Sequence, residues 1–276
     1  MSRTLQRLSP RRIADKVATK VKHFVFAPRV TVRGGMPLCR LGTAYGGWEF
    51  IDLAELHGAT ILSCGLGEDA SFDVEFAATH GAKVVIVDPT PRAIDHFRAI
   101  EARLGLPAVT AYATDGRIAP DSYSLEDVLP GQLTLVEAAL AGQSGVVRFY
   151  APPDPNHVSH SIVNFQNDYS TDTPFIEVQA VTIEDLLPLL GGEPPLVKMD
   201  IEGAEIEVIP HLLEAGLRPT QLLVEFDELN QPSRKSRDRF ERVHSMLLEA
   251  GYRVAFHDGR SNFLYVIAGR TKGLLA

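Results

Sequence analysis

Residues Ile61–Phe72 read ILSCGLGEDASF. A short apolar run ends at Gly65, and Phe72, Phe76 and Ala77 then recur at helical spacing up to a stop at Gly81. Strand, glycine turn and helix is the opening of many nucleotide-binding folds. The dinucleotide fingerprint G-x-G-x-x-G is met only at Gly65 and Gly67, with Ala70 in the third place. Glu68 and Asp69 sit where the free N–H groups and dipole of a helix N-terminus attract anions. They occupy that field themselves and oppose a pyrophosphate, so a ligand with a positive centre suits this rim better.

Outward from this stretch the pattern alternates. AKVVIVDP (82–89) is a second strand, TPRAIDHFRAIEARLG (90–105) a helix with Pro91 near its start, and QLTLVEAAL (132–140) a third strand. A polar stretch rich in Pro and Asn over 151–175 interrupts the series. FIEVQAV then reads as extended, followed by a short helix with Thr182 as its N-cap. PLVKMDIEG (195–203), AEIEVIPHLLEAG (204–216) and QLLVEFDE (221–228) resume the strand–helix–strand order, and RDRFERVHSMLLEAG (237–251) is a further helix. Two final strands, YRVAFHDG and NFLYVIAG, are joined so briefly that they form an antiparallel hairpin. The expected architecture is α/β, one mostly parallel sheet with helices on both faces and a terminal antiparallel hairpin.

The chain has 276 residues, 45% hydrophobic and 22% charged, which suits one large domain. No apolar run is long enough to span a membrane. Cys39 and Cys64 lack metal-motif spacing and read as reduced core thiols of a cytoplasmic protein. The net charge of −8 conceals an asymmetry: residues 1–40 hold ten of the 27 bases and one acid, leaving 17 bases against 34 acids elsewhere. That body repels nucleic acid. The expected division is a basic N-terminal extension over 1–40 and an α/β domain over 41–276. Within the extension, RRIADKVATKVKHFVF reads as an amphipathic helix that packs on the domain or meets a membrane surface or protein partner, with an Arg-rich organellar presequence as the remaining reading.

S-adenosylmethionine carries both an ammonium and a sulfonium, with a ribose that needs an acceptor. Asp88, at the tip of the second strand, is placed to accept from ribose hydroxyls. Asp200 ends VKMD on another strand tip, and Glu137 and Ala138 end the third strand. LVKMDIEGAEIEVIPHL resembles the signature segment of FkbM-type methyltransferases, and YGGW (45–48), SCGLGEDASFD and VDPTPRAI are similar to one branch of that family. The resemblance covers about residues 40–270. It implies a doubly wound, Rossmann-like class I sheet of seven strands and methyl transfer, commonly to oxygen. By position it implies Gly65 and Gly67 along the methionine part and Asp88 at the ribose, with Ser63, Glu68 and Pro89 also among the cofactor-binding residues. It also places Glu137 and Ala138 near adenine and Asp200 at the sulfonium end. This chain departs from most members in having Ser63 for an acid and Asp69 for a glycine.

Methyl transfer from a sulfonium is an in-line displacement governed by positioning. A hydroxyl acceptor also needs a base or a metal. Asp200 is the first candidate for the acidic group, with Glu202 beside it, and His160 in the polar loop is a candidate base. Trp48 is a core anchor or a lid. His257 and Asp258 read as turn residues. A divalent cation on Glu225 and Asp227 is possible but not favoured, and no His or Cys motif has zinc spacing. The leading expectation is an S-adenosylmethionine-dependent O-methyltransferase acting on a small molecule or glycan. The rivals are a non-catalytic scaffold that keeps the fold and, less favoured, a nicotinamide-dependent oxidoreductase.

Overall fold

A computed structural model describes residues 25–114, 116–152, 160–167, 170 and 172–267. The expected basic helix falls outside these residues apart from Val25 and Phe26. Strands β1 (Cys39–Leu41) and β2 (Trp48–Phe50) form a small antiparallel pair. There follow β3 (Thr60–Cys64), helix α1 (Ser71–His80), β4 (Lys83–Val87), α2 (Pro91–Glu101), β5 (Leu133–Val136), β6 (Ala139–Leu140), β7 (Gly145–Tyr150) and β8 (Phe175–Val181). The chain continues with α3 (Ile183–Leu190), β9 (Leu196–Met199), α4 (Glu205–Glu214), β10 (Gln221–Glu225), α5 (Arg234–Glu249), β11 (Tyr252–His257) and β12 (Asn262–Ile267).

Seven strands make one mixed sheet in the order β11-β12-β10-β9-β3-β4-β5. Pairings from β10 to β5 are parallel, and β12 runs antiparallel to both β10 and β11, so the terminal hairpin closes one edge. Strand side chains alternate between two apolar clusters, as the two-residue period of a strand requires. Ile61, Val84, Ile86, Leu223 and Leu264 join Phe72 and Phe76 of α1 and Phe97 of α2. Leu62, Val85, Val87, Val197 and Val224 join α3, α4 and α5 through Leu186, Leu212 and Phe240. Most of the helices have a local reason to start or stop. Pro91 opens α2, Thr182 and Asp185 close a capping box on α3, and Gly81 ends α1 in the left-handed conformation. The last helix begins three residues earlier than its apolar pattern suggests, because Ser233 and Ser236 form a reciprocal cap.

The stretch 132–140 is not one strand. Ala138 donates back to the Val136 carbonyl at 2.8 Å, a tight turn that ends β5 in the large sheet. β6 then enters a second sheet, ordered β6-β8-β7. Its two longer strands, β7 and β8, flank the polar stretch 151–175. Cys39 is exposed on β1 rather than part of the core, since that short pair offers one face to solvent, while Cys64 is buried. Met36 lies in the apolar core and Arg33 donates to the Val254 carbonyl, so this part of the N-terminal extension docks on the sheet. Among the described residues, no helix is long and apolar enough to cross a membrane.

A buried glutamine ties the small pair to the large sheet. Gln221 of β10 accepts from the Ile51 N–H and donates to the Ile51 carbonyl, both at 2.8 Å. Gln221→Leu leaves two buried backbone groups unpaired, each worth about 1–3 kcal/mol. Urea unfolding is expected to show a loss of about 2–4 kcal/mol, whereas a neutral outcome would mean that Ile51 finds other partners.

Candidate functional site

The chain leaves β3 in one direction for β4 and β5, then returns to its other side with β9 and β10. Ligands in open α/β sheets bind beyond the carboxyl ends of the strands where that order reverses. Here the ends of β3 and β9 are in backbone contact. Asp200 donates its N–H to the Cys64 carbonyl at 3.0 Å, and a β-carbon at Gly65 would lie 1.9 Å from the Asp200 carbonyl oxygen. Only glycine fits, and its φ of 87° demands glycine as well. The buried ammonium of Lys198, on β9, donates to the Gly65 carbonyl and sits 5.7 Å from the Trp48 ring centroid. Asp88 holds the other side of the turn. Its Oδ2 accepts from Leu66 and Gly67 N–H at 2.9 and 3.0 Å, and its Oδ1 accepts from the Thr90 N–H and hydroxyl at 2.8 and 2.7 Å. Those donors fill the lone-pair directions of a carboxylate, so in this arrangement Asp88 shapes the turn and a ribose contact requires displacement of one donor.

Around this junction lies a cavity of about 450 Å³, within the usual range for small-molecule sites. Gly65, Gly67, Glu68, Asp88, Pro89, His160, Asp200 and Glu202 all line it. Three expected residues do not. Ser63 is fully buried beneath, beside Asp73. Glu137 turns outward to an ion pair with Arg98 at 3.0 Å. Ala138 is buried behind Ala139 and Leu140, which line the cavity in its place. His160 stacks on Phe149, with ring centroids 5.9 Å apart, and both face the cavity. Trp48 is at once core and wall. His257 ends β11, and Asp258 accepts from Arg260 and Asn262 N–H in the following turn.

The negative field does not come from the residues that first suggested it. Glu68 is neutralised by Arg92 at 2.5 Å, with Arg117 at 3.8 Å. Asp69 accepts from the Thr43 hydroxyl at 2.6 Å and the Ser71 N–H at 3.0 Å, stapling the Tyr45–Trp48 segment to the start of α1. A β-carbon at Gly46 would strike that carboxyl at 2.6 Å, which accounts for the glycine there. The unneutralised carboxylates lie instead at the ends of β9 and β10. Burial raises the pKa of Asp200, against the pull of Lys198. Burial and then Asp200 push Glu225 up to about 7. Asp227 and Glu205 are raised well above the usual carboxylate range, first by burial and with their acidic neighbours adding to it.

Local structure fixes these acids. Glu202 adopts φ 56°, left-handed for a residue with a side chain, and Gly203 follows at 96°. This costs on the order of 1–3 kcal/mol and is held by Glu205, which accepts from the Ile201 N–H at 2.8 Å, and by the Ser161 hydroxyl on the Glu202 carbonyl. Asn230 bridges Glu225 and Asp227 at 3.2 and 3.1 Å. Arg239 grips the adjoining Glu228 through two bonds of 2.6 and 2.5 Å. Ser261 and Asn230 both donate to Glu225 Oε1. Sequence reasoning gave Glu225 only a possible cation-binding role; its position after a buried strand is the one signal that marks it. Among the described residues, these acids do not bring three ligand oxygens within 4.8 Å of one another.

The family model for the methyltransferase FkbM domain matches residues 57–254, more than two thirds of the chain. Neither a curated protein nor a solved structure matches it.

The raised acids set a pH dependence of stability. Folded Glu225 holds its proton to about pH 7, but the unfolded chain loses it near 4.5. Between those values the folded state binds more protons, so the contribution is complete below the unfolded pKa and is lost as pH rises through the folded one. Asp200, Glu205 and Asp227 act in the same direction. Glu225→Gln is expected to flatten the decline in unfolding free energy, measured by urea titration between about pH 5 and pH 8, by on the order of 1–3 kcal/mol. An unchanged slope would show that Glu225 titrates normally.

Proposed function

We propose that this chain, which belongs to the FkbM methyltransferase family, transfers a methyl group from S-adenosylmethionine to a hydroxyl oxygen of a small molecule or glycan. The observation that carries this reading is the convergence of the β3 glycine turn, the β4 aspartate and the β9 and β10 carboxylates on one cavity. The strand order also suits the doubly wound, Rossmann-like sheet of class I methyltransferases, and free thiols suit a cytoplasmic setting.

The residues present fit the donor. Gly67 has open space where a β-carbon would stand, so backbone there can lie against a ligand. The carboxylates of Asp200, Glu202, Glu225 and Asp227 face the cavity, and Lys198 is already engaged with Gly65. Bound S-adenosylmethionine supplies a methyl group on a positively charged sulfur. The protein's part is to hold the acceptor oxygen in line and to take its proton. Glu225 suits the second task, because a carboxyl poised near pH 7 is a competent base at neutrality, and no donor among the described residues occupies its Oε2. Trp48, Phe149 and Ile162 provide apolar wall that limits water. Asp200 provides negative charge beside the glycine turn.

Calorimetric titration with S-adenosylhomocysteine and a labelled-methyl assay on cell extract test the proposal. The expected result is binding together with a labelled product whose rate climbs as pH rises through about 7. Glu225→Gln is expected to lower turnover about 10²–10⁴-fold with binding retained. Absence of binding heat at about millimolar ligand would overturn the reading. A second expectation concerns charge. Deprotonating the cluster favours the sulfonium of S-adenosylmethionine over the neutral sulfur of S-adenosylhomocysteine, so their affinity ratio should grow from about pH 5.5 to pH 8. A constant ratio would show that these acids do not face the sulfur.

A further inference from the structure

At the opposite end of α1 from the cavity, three side chains meet that the methyl-transfer reading does not use. Asp52 follows β2, His57 precedes β3, and His80 is the last residue of α1. Asp52 Oδ1 lies 3.3 Å from His57 Nε2 and 3.2 Å from His80 Nε2. All three ligand atoms fall within 4.8 Å of one another, and among the described residues no other group of His, Cys, Asp or Glu does this. Tetrahedral bonds of about 2.0 Å to nitrogen and carboxylate oxygen set neighbouring donor atoms about 3.3 Å apart. The two measured edges already have that length.

The His80 ring is held in one orientation. Its side chain is 1% exposed, it stacks on Phe76 with centroids 4.3 Å apart, and it meets Phe50 edge-on at 5.6 Å. Its Nδ1 lies 3.3 Å from the Phe76 carbonyl, which can only accept. Its Nε2 faces Asp52 Oδ1, also an acceptor, so a neutral ring can donate to only one of the two and leaves a lone pair towards the other. With the hydrogen on Nδ1, the Nε2 lone pair and the Asp52 oxygen face each other at the edge of the core, a contact that a cation between them makes favourable. A backbone carbonyl on the far ring nitrogen is also the usual support of a metal-bound histidine. The C-terminal end of the helix dipole adds negative potential at the same point, and the half-exposed Asp52 and His57 leave a fourth coordination position open to water.

We propose that Asp52, His57 and His80 bind one divalent transition metal of the zinc type. The ion ties the segment after β2 and the turn before β3 to the end of the helix whose other end shapes the cavity. Two imidazoles and one carboxylate select such a metal over Mg²⁺, which prefers an all-oxygen set.

The test uses the full chain without an affinity tag, stripped with chelator and titrated with Zn²⁺ by calorimetry and with Co²⁺ by absorption. One equivalent is expected to bind, with visible bands of tetrahedral Co²⁺ and a Tm that rises with Zn²⁺ concentration. Losing a group that merely supports a ligand costs about 10–100-fold in affinity, so Asp52→Asn or His57→Gln should each weaken binding by about a hundredfold or more. Both positions are about half exposed and their variants are expected to fold, which circular dichroism checks; His80→Ala is not needed. Failure of Zn²⁺ to bind would overturn the proposal and leave a proton as the shared cation. Undiminished binding in the Asp52→Asn/His57→Gln double variant would overturn it too, placing the ion on other histidines.

Discussion

The backbone of Gly65 lies against the carbonyl of Asp200 with no room for a single carbon between them, and the rest of the site follows from that contact. It joins the ends of β3 and β9 where the strand order reverses. It also turns the chain sharply enough for Leu66 and Gly67 to offer both N–H groups to Asp88. The glycine that looks like a ligand-binding residue is thus required first by the protein's own main chain. Gly67 is the one with open space beside it. Equal letters in a motif answer to different constraints, one to a neighbouring strand and the other to the cavity.

Electrostatics is the second organising fact. Carboxylates taken out of water keep their protons unless something positive lies near. Lys198 is the buried cation in this region and lies against Gly65 and Trp48. Asp200, Glu205, Glu225 and Asp227 consequently share too little positive charge for all to ionise at neutral pH. A site in this condition is more complete with a cationic guest than without one. In the sequence Glu68 and Asp69 point to a positive ligand, yet both are satisfied within the protein by Arg92, Thr43 and Ser71. The acids with raised pKa values, Asp200, Glu205, Glu225 and Asp227, lie far along the chain around the ends of β9 and β10.

Much of the architecture was legible because local signals agree with the global fold. Apolar runs ending in glycine or aspartate became β3, β4 and β9. Thr182 capped α3 as its position suggests, and the brief link at Arg260–Ser261 made a hairpin. The failures share a cause. The break at Glu137–Ala138 depends on one tight turn that no apolar pattern marks, so a single expected strand feeds two sheets. The exposure of Cys39 depends on which face of a three-residue strand is covered. Asp52, His57 and His80 are brought together by the fold alone, and no spacing in the chain announces them. Glu225 was read by position on a strand tip, but its titration belongs to the company it keeps in space.

The two sheets divide the cavity between them. Residues of the seven-stranded sheet make one wall, whereas Leu140, Phe149, His160 and Ile162 belong to β6, β7 and the segment that follows β7. That second wall is carried on a contiguous stretch, inserted between β5 and β9 and paired within itself. Natural variation can therefore remodel it as a cassette. A substitution or insertion there can reshape that wall while the strand pairing of the seven-stranded sheet stays as it is.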